Sequence, residues 1–392
     1  MSRAGSQERS LLGMIALLRP HWRTEAAMPA RFEKLLSGDK RLGSRDRRLY
    51  RELVYTAVRY LPWIETLLEV DPAAAVRRIA WLASDSASVR GFRDEVTAGM
   101  PACPVPAQEK AAVLGADLEA LSPAWLRTEC ANACEAPLRD ILLTRAPLWL
   151  RLQTDRPEVV FSELDSLGIA WKKSNLAPDA VELAPESNIS RTDSYGTGMV
   201  EVQDIGSQLV LRNAAIPEGG HWLDACAGAG GKTLQLAAML GPRGRVSARD
   251  IRRSALEELS QRAFRSGVGS RITVGGESSP AGGFDGVLVD APCTGSGTWR
   301  RAPHLKWVTT PASIAAAAEL QLRLLGENAG QVKIGGMLVY ATCSLCESEN
   351  EKVVEKFLGT QPSFEAIGLG TRLTPASHDG DAFFVASFRR SR

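Results

Sequence analysis

Between residues 203 and 392, short segments with the composition of β-strands alternate with amphipathic helical segments. Strands are predicted at five places: His221–Ala225, Arg245–Arg249, Ile272–Val274, Phe284–Val289 and Met337–Ala341. Helices are predicted between them, at Lys232–Leu240, Arg253–Arg265 and Ser313–Gln331. This alternation predicts an α/β domain with a parallel sheet covered by helices on both faces, in which ligands bind beyond the carboxyl ends of the strands. Four polar or nucleophilic residues lie at or near such ends: Asp224, Asp250, Asp290 and Cys343.

Two other segments precede this domain. Residues 1–142 are predicted to be all-helical, and in the clearest helix apolar residues recur every four positions from Leu49 to Leu61. Ser44 is the predicted N-cap of that helix, and Pro62 is predicted to end it. Residues 143–202 predict a small α/β module, with strands at 148–152, 170–173, 181–183 and 199–202 and a helix at 157–167. We therefore expect three domains: 1–142, 143–202 and 203–392.

The composition predicts an intracellular globular protein, which we expect to be cytoplasmic. Hydrophobic residues make up 44% and charged residues 23% of the chain, no apolar run is long enough to span a bilayer, and the N-terminus makes a poor signal peptide. Seven cysteines in a long chain predict reduced thiols rather than a secreted disulfide framework. Residues 1–60 carry a net charge of +7, whereas the whole chain carries +2. On charge alone, a solvated helix face explains this asymmetry better than a polyanionic partner does.

A glycine-rich run, Asp224-Ala-Cys-Ala-Gly-Ala-Gly-Gly-Lys-Thr233, follows the first strand of the α/β domain. A Walker A loop requires glycine where Cys226 stands, and a dinucleotide fingerprint requires glycine or alanine where Thr233 stands, so both are disfavoured. The remaining Gly-x-Gly-Gly allows a ligand to approach the backbone, with an anionic group at the helix N-terminus. S-adenosylmethionine carries such a carboxylate, and Asp250, about 20 residues further on, is suited to accept its ribose hydroxyls. A turn with only a packing role is the alternative.

Two cysteines follow two successive strands of the sheet. Asp290-Ala-Pro-Cys293 ends one strand and Thr342-Cys343-Ser344 ends the next, so both thiols are expected at the mouth of one crevice. A thiolate that adds to carbon 6 of a cytosine makes carbon 5 a nucleophile toward a sulfonium methyl group, and a carboxyl group beside the thiol assists at ring nitrogen 3. Methylation of an exocyclic amine typically uses Asn or Asp followed by Pro-Pro and an aromatic residue, and needs no cysteine. A metal or redox role for the pair Cys343 and Cys346 is disfavoured, because zinc requires a second pair nearby.

Together these motifs resemble the RsmB-type branch of the Nop/Sun family of RNA cytosine-5 methyltransferases. The matching motifs cover most of 198–350 in the family's order: Val202-Gln-Asp-x-x-Ser-Gln-Leu209, Asp224 to Thr233, Asp290-Ala-Pro-Cys293, Arg301-x-Pro303, Lys306-Trp307, Tyr340-Ala-Thr-Cys-Ser344 and Glu349-Asn350. The resemblance implies a class I, Rossmann-like methyltransferase domain that uses S-adenosylmethionine. It also implies that an RRM-like module and a NusB-like RNA-binding domain precede it, and that residues 381–388 form a final antiparallel strand.

The resemblance further implies a role for each site residue. Cys343 is the implied nucleophile, and Cys293 assists release of the product, a ranking that the bare sequence does not provide. Asp250 is implied to bind the ribose, and Asp290 to lie near both the cofactor and the target base, where it has a catalytic role. The cofactor loop comprises Cys226, Ala227, Gly228, Ala229, Gly230, Gly231 and Lys232. No metal is expected.

The chain departs from the family pattern at three places. Gly228-Ala229 stands where the family has Ala-Pro, which makes the turn more flexible. Gly276 stands where an acidic residue usually follows the third strand, with Glu277 one place later. His304 stands where an acid is common after Pro303.

The hypothesis from the sequence is S-adenosylmethionine-dependent methylation of carbon 5 of a specific cytosine in small-subunit (16S) ribosomal RNA. We expect a monomer with RNA as its partner and no association with a membrane. The alternative is the same chemistry on tRNA. A non-catalytic RNA-binding or assembly factor on the same scaffold is a third reading, which the presence of both cysteines, Asp290 and Lys232 disfavours.

Overall fold

The computed structural model describes residues 2–275, 283–368 and 370–392. Gly276 and Glu277, where the sequence departs from the family pattern, lie outside the described residues. No helix in the described part of the chain is long and apolar enough to cross a membrane.

The chain forms two compact units. The first comprises the chain up to Arg145 together with residues 298–311, and the second comprises residues 146–297 and 312–392. Residues 298–311, which the sequence assigns to the domain 203–392, thus belong to the first unit. The domain boundaries at 142/143 and 202/203 stay predictions.

The first unit is all-helical in its described residues, as predicted. Its α-helices are Arg3–Leu18, Met28–Gly38, Ser44–Arg59, Leu61–Ile64, Leu67–Val70, Pro72–Leu82, Arg90–Val96, Ala107–Leu114, Leu126–Glu129, Leu138–Leu142 and Leu305–Val308. Short 3-10 turns lie at Arg19–His21, Glu119–Leu121 and Ala131–Cys134. The prediction of Ser44 as an N-cap is wrong, because Gly43 is the N-cap and Ser44 is the first helical residue. Pro62 lies in the first turn of the next helix, where its missing N–H costs no hydrogen bond.

Residues 298–311 are held in the first unit by specific hydrogen bonds. The Trp307 indole N–H donates to the Val58 carbonyl at 2.7 Å, and the Arg59 guanidinium donates to the Arg300 carbonyl at 3.0 Å. His304 Nε2 lies 3.1 Å from the carbonyl oxygen of Ala26. A carbonyl oxygen only accepts, so Nε2 carries the proton in this contact, and an ionised acid at this position is unable to make it.

The second unit begins with a small four-stranded antiparallel sheet of order β2-β3-β1-β4. Its strands are β1 (Leu148–Leu152), β2 (Trp171–Lys173), β3 (Ala180–Leu183) and β4 (Val200–Val202). Helices Pro157–Ser166 and Asp193–Gly196 complete the β-α-β-β-α-β order of a split βαβ unit, consistent with the RRM-like expectation. Leu150 and Val181 pack on the first helix, whereas Trp149, Arg151 and Glu201, which lie on the opposite face, are also buried.

The second sheet of this unit is mixed, with strand order β10-β12-β9-β8-β5-β6-β7 and β11 paired to β12. Its strands are β5 (His221–Asp224), β6 (Arg245–Ala248), β7 (Ile272–Val274), β8 (Phe284–Asp290), β9 (Val332–Thr342), β10 (Phe364–Ala366), β11 (Thr371–Leu373) and β12 (Phe383–Arg390). The accompanying α-helices are Ile205–Asn213, Gly231–Met239, Arg253–Arg265, Pro311–Ala329, Glu351–Thr360 and Pro375–His378, and the 3-10 turns are Gly269–Arg271, Ser296–Thr298 and Glu347–Glu349. Strands β5 to β9 are parallel, as predicted, and β12 is the expected antiparallel strand beside β9.

The strand order reverses at β5, because β6 lies on one side of it and β8 on the other. Such a reversal leaves a crevice at the carboxyl ends of the strands, which is where open α/β sheets bind ligands. Asp224 and Asp290, the last residues of β5 and β8, therefore both end at this crevice.

The pairing of β5 with β8 depends on the absence of a side chain at Gly286. Gly286 lies opposite Trp222, and a Cβ atom at this position would be 2.4 Å from the buried indole ring. We expect Gly286→Ala to lower the free energy of unfolding by about 1–3 kcal/mol, because the core must shift to relieve the overlap. Urea denaturation measures this change.

Gly326→Ala is the matched control, since Gly326 lies inside the helix Pro311–Ala329 and an added Cβ atom would have nothing within 4 Å. This substitution should be neutral or stabilising, by up to about 1 kcal/mol. Equal destabilisation by the two substitutions would contradict the packing described here.

Candidate active site

The glycine-rich loop connects β5 to the helix Gly231–Met239. Gly228 and Gly230 have φ values of +54° and +91°, in the left-handed region that favours glycine. A Cβ atom at Gly230 would also lie 2.7 Å from Leu259 Cγ, so this position requires glycine for both reasons. At the base of the loop, Thr233 Oγ1 donates to Asp224 Oδ2 at 2.7 Å. Burial raises the pKa of Asp224 to about 7. Thr233, at the position where a dinucleotide fingerprint requires glycine or alanine, thus serves here as the hydrogen-bond donor to Asp224.

Asp250 follows β6 and faces the loop. Its Oδ2 accepts a hydrogen bond from the Gly228 backbone N–H at 2.8 Å, and its Oδ1 accepts one from the Arg252 backbone N–H at 2.8 Å. The Arg252 guanidinium occupies both oxygens as well, at 3.0 and 3.1 Å. Burial alone raises the pKa of Asp250, but the hydrogen bonds from Arg252 and Gly228 outweigh it and lower the pKa overall.

Lys232 and Asp290 form an ion pair at the same edge of the sheet. Lys232 Nζ lies 2.9 Å from Asp290 Oδ2 and 4.7 Å from the centre of the Phe383 ring. The lysine side chain is only 8% exposed, so water competes little with this pair. A buried ammonium requires such a partner, and Asp290 therefore fixes the first turn of the helix that follows the loop.

The two predicted thiols are in contact, with Cys293 Sγ 3.3 Å from Cys343 Sγ. They meet because β8 and β9 are parallel neighbours in which Asp290 lies opposite Ala341, so the loops that follow leave the sheet together. Gly297 permits the approach: its N–H donates to the Cys343 carbonyl at 2.9 Å, and a Cβ atom there would lie 2.8 Å from that oxygen. The hydrogen-bonded Cys343 thiol, with burial as the next cause, holds the pKa of Cys293 well above its ordinary value.

A buried carboxylate, Glu349, ties the two cysteine loops together. Its Oε1 accepts the Thr294 backbone N–H at 2.9 Å and Gln321 Nε2 at 3.0 Å. Its Oε2 accepts the hydroxyls of Thr294 and Ser344, the latter at 2.6 Å. Thr294 follows Cys293 and Ser344 follows Cys343, so one side chain sets the spacing of both loops. Tyr340 donates its hydroxyl to the Glu349 carbonyl and to Gln321 Oε1.

The glycine-rich loop, the Lys232–Asp290 pair, Asp250 and the two thiols line one cavity of about 670 Å³. The predicted site residues that line it are Cys226, Ala227, Gly228, Ala229, Gly231, Lys232, Asp250, Asp290, Cys293 and Cys343. Gly230, the remaining predicted residue, is not part of the lining and lies against Leu259 instead. Burial, with Asp224 and Asp290 nearby, raises the pKa of Cys226 to about 12, so this third thiol stays protonated at neutral pH.

The fold and the site define a class of protein. A parallel sheet with a glycine loop after its first strand, an acidic residue after the second and a cavity at the strand reversal is the arrangement of Rossmann-like methyltransferases, which bind S-adenosylmethionine at the helix N-terminus. Two adjacent thiols, Cys293 and Cys343, also line that cavity.

Known proteins identify the family. The family model described as 16S rRNA methyltransferase RsmB/F matches residues 214–389. Ribosomal RNA small subunit methyltransferase B of Klebsiella pneumoniae is 32% identical over 288 residues, which are 69% of this chain and 67% of that protein. The probable ribosomal RNA small subunit methyltransferase B of Bacillus subtilis is 34% identical over 262 residues, which are 61% of this chain and 58% of that protein. The crystal structure of PH0851 has the same fold, with a TM-score of 0.75 and 21% identity over 100% of both chains.

The chain therefore belongs to the RsmB/F family of 16S rRNA methyltransferases, and its cofactor is S-adenosylmethionine. The predictions of family, fold class and cofactor are confirmed. The sequence did not reveal that Glu349 joins the two thiol loops, although Glu349-Asn350 is one of the motifs that carry the resemblance. Its partner Thr294 is 55 positions away, and no periodic pattern links residues so far apart.

We expect Glu349→Ala to lower the free energy of unfolding by about 3 kcal/mol, because it leaves several buried donors without an acceptor. Glu347→Ala is the matched control, since Glu347 is exposed and its carboxylate forms a 3.6 Å ion pair with Lys352. Its effect should stay within about 0.5 kcal/mol. Denaturant unfolding of the two variants compares them directly, and similar values for both would refute the bridging role of Glu349.

Proposed function

We propose that this chain methylates carbon 5 of a cytosine in 16S rRNA through a covalent bond between Cys343 and carbon 6. The observation that carries the proposal is the 3.3 Å contact between Cys293 and Cys343 in a cavity shared with the glycine loop and Asp290. An RNA-binding factor without catalytic activity has no use for two thiols in such a cavity. Methylation of an exocyclic amine has no use for them either.

The cavity residues suit S-adenosylmethionine, which supplies a methyl group bound to a positively charged sulfur. Residues 226–232 would hold its methionine part, with the carboxylate at the N-terminus of the helix Gly231–Met239. Asp250 would accept the ribose hydroxyls. Its acceptor positions are filled by Gly228 and Arg252, and the Arg252 side chain is 65% exposed. The Arg252 guanidinium therefore moves into solvent when the ribose binds, at little cost.

Cys343 attacks in its thiolate form, which arises when its Sγ gives its proton to solvent. The raised pKa of Cys293 favours its thiol form, so once Cys343 has lost its proton the Cys293 S–H is the group able to donate across the 3.3 Å contact. This hydrogen bond stabilises negative charge on Cys343 and makes it the nucleophile of the pair. The new bond from Cys343 Sγ to carbon 6 moves electron density to carbon 5 and ring nitrogen 3. Carbon 5 would then take the methyl group as the bond from that methyl to the cofactor sulfur breaks and the sulfur keeps the electron pair.

Asp290 and Lys232 assist at ring nitrogen 3. The lysine proton lies between the two side chains at an N···O distance of 2.9 Å. As nitrogen 3 gains negative charge, the proton passes through Asp290 to the ring, and the pair acts as the general acid. This role explains why a lysine with 8% exposure carries a carboxylate partner at the edge of the cavity.

Cys293 acts after methyl transfer. In the adduct Cys343 is a neutral thioether, so the contact that most raises the pKa of Cys293 no longer exists, and loss of the Cys293 proton to solvent becomes easier. Its thiolate then removes the carbon 5 proton. The electron pair of that C–H bond restores the ring double bond as ring nitrogen 3 returns its proton to the Asp290–Lys232 pair, and the bond between carbon 6 and Cys343 breaks to release the thiolate.

The all-helical unit would bind the RNA. Its first 60 residues carry a net charge of +7, and a positively charged surface binds phosphates by releasing counterions. We also propose that the enzyme acts on its rRNA substrate in the cytoplasm and as a monomer, which is supported by the presence in one chain of every residue of the proposed mechanism.

The roles of the two thiols are separable by mutation. Cys343→Ala should abolish methyl transfer and any covalent protein–RNA species. Cys293→Ala should also abolish turnover, yet accumulate a cofactor-dependent covalent complex that survives denaturing electrophoresis, because methylation proceeds and release does not. Appearance of the trapped complex with Cys343→Ala instead would reverse the assignment.

The substrate is tested in the same assay. The intact protein, with labelled S-adenosylmethionine, should methylate 16S rRNA and not bulk tRNA, and the product should be 5-methylcytosine. Preferential labelling of tRNA would support the alternative substrate, and label on an exocyclic amine would refute the covalent mechanism. Cys346→Ala is the control for loss of a thiol, because Cys346 is a buried neighbour outside the cavity lining.

A further inference from the structure

Arg262 connects the cofactor loop to the small four-stranded module. It lies in the helix Arg253–Arg265, and its Nη1 donates to the backbone carbonyl of Ala229 at 2.7 Å. Its Nε and Nη2 donate to Glu201 Oε2 at 3.0 and 2.8 Å. Glu201 belongs to β4, the last strand of the small module. One guanidinium therefore binds two segments that belong to different sheets.

This contact is strong because it is shielded from water. The Arg262 side chain is 15% exposed and the Glu201 side chain 2% exposed. The other carboxylate oxygen of Glu201 accepts Arg265 Nη2 at 2.8 Å, so the two arginines bind different oxygens of the same acid. A guanidinium that forms charge-assisted hydrogen bonds through several of its N–H groups has a fixed direction, which also fixes where its Nη1 donor points. That donor points at the Ala229 carbonyl.

The loop needs an external restraint at this position. Ala229 stands between Gly228 and Gly230, both in the left-handed region, and glycines lose more conformational entropy on ordering than other residues do. One side of the loop is held by the bond from the Gly228 N–H to Asp250. Arg262 holds the carbonyl of the following residue, Ala229. The Gly228 N–H is thus held by Asp250, at the end of β6, and the Ala229 carbonyl by Arg262, in the helix Arg253–Arg265. Gly228, Ala229 and Gly231 line the cavity.

We infer that Arg262 is a positioning residue for cofactor binding: together with Glu201 it orders the loop around Ala229 before the cofactor arrives. The inference rests on the proposed assignment of residues 226–232 to S-adenosylmethionine. A ligand that binds a loop already in its bound conformation does not lose affinity to the ordering of that loop. The small module therefore contributes to cofactor affinity through Glu201, although none of its residues lines the cavity.

Arg265 provides a matched control on the same helix. It forms an ion pair with the same carboxylate, and its guanidinium lies 4.6 Å from the centre of the Tyr195 ring. No hydrogen bond from Arg265 to the loop is present among the described residues. Substitution of Arg265 also removes a largely buried ion pair with Glu201 at 2.8 Å. It should therefore lower the free energy of unfolding about as much as substitution of Arg262, but without removing the hydrogen bond to the Ala229 carbonyl.

The test compares Arg262→Met with Arg265→Met in the full-length protein. Calorimetry with S-adenosylhomocysteine measures affinity, and hydrogen exchange of the amides in residues 227–231 measures the order of the loop. We expect Arg262→Met to weaken binding by about tenfold or more, which is the size of one charge-assisted hydrogen bond, and to speed exchange in the loop. Arg265→Met should leave the affinity within about twofold of the native protein, because Arg262 keeps its hydrogen bonds to Glu201 Oε2 and to the Ala229 carbonyl.

Arg262→Lys is the second variant, for use if the methionine variant does not fold. Lysine reaches either Glu201 or Ala229 but lacks the fork that binds both, so it should keep the fold and still weaken binding. Native affinity and native loop exchange in both Arg262 variants, or an equal loss of affinity in the Arg265 variant, would overturn the positioning role. Failure of the native protein to bind S-adenosylhomocysteine would instead refute the assignment of the loop.

Discussion

The parallel pairing of β8 with β9 is the constraint on which the site depends. Asp290 lies opposite Ala341 in this pair, so the residues that follow each strand leave the sheet at the same height and on the same side. Two cysteines 50 positions apart in the sequence thereby come within 3.3 Å of each other. Hydrogen bonds within the ladder fix the register, and a shift by one residue would turn each side chain to the opposite face.

The loops beyond the strands need further support, and buried polar groups supply it. Glu349 joins the two thiol loops, Lys232 joins the cofactor helix to the end of β8, and Arg262 joins the cofactor loop to β4. Each of these side chains is largely shielded from water and hydrogen bonded, so the hydrogen bonds fix its orientation. The site is therefore held by a small number of charge-assisted contacts on a rigid sheet, an arrangement suited to orienting a thiolate and a methyl donor together.

The sequence predicted the sheet and the location of the site because both follow local patterns. Strand composition, the glycine run and the two cysteine motifs placed Cys226 to Lys232, Asp250, Asp290, Cys293 and Cys343 at strand ends, and the structure brings them to one cavity apart from Gly230. The roles of Glu349 and Arg262 escaped prediction, because they depend on contacts with residues 55 and 33 positions away. For the same reason, no pattern indicated that residues 298–311 pack with the helical unit.

The central claim is that Cys343 bonds to carbon 6 of the target cytosine. RNA made with 5-azacytidine tests it directly in the native protein, because the nitrogen at ring position 5 carries no proton to lose and the adduct persists. After incubation with 16S rRNA of this kind and S-adenosylmethionine, nuclease and protease digestion followed by mass spectrometry locates the attached nucleotide. We predict that the azacytosine nucleotide is attached to Cys343. Attachment to Cys293, or no covalent attachment under conditions in which ordinary rRNA is methylated, would contradict it.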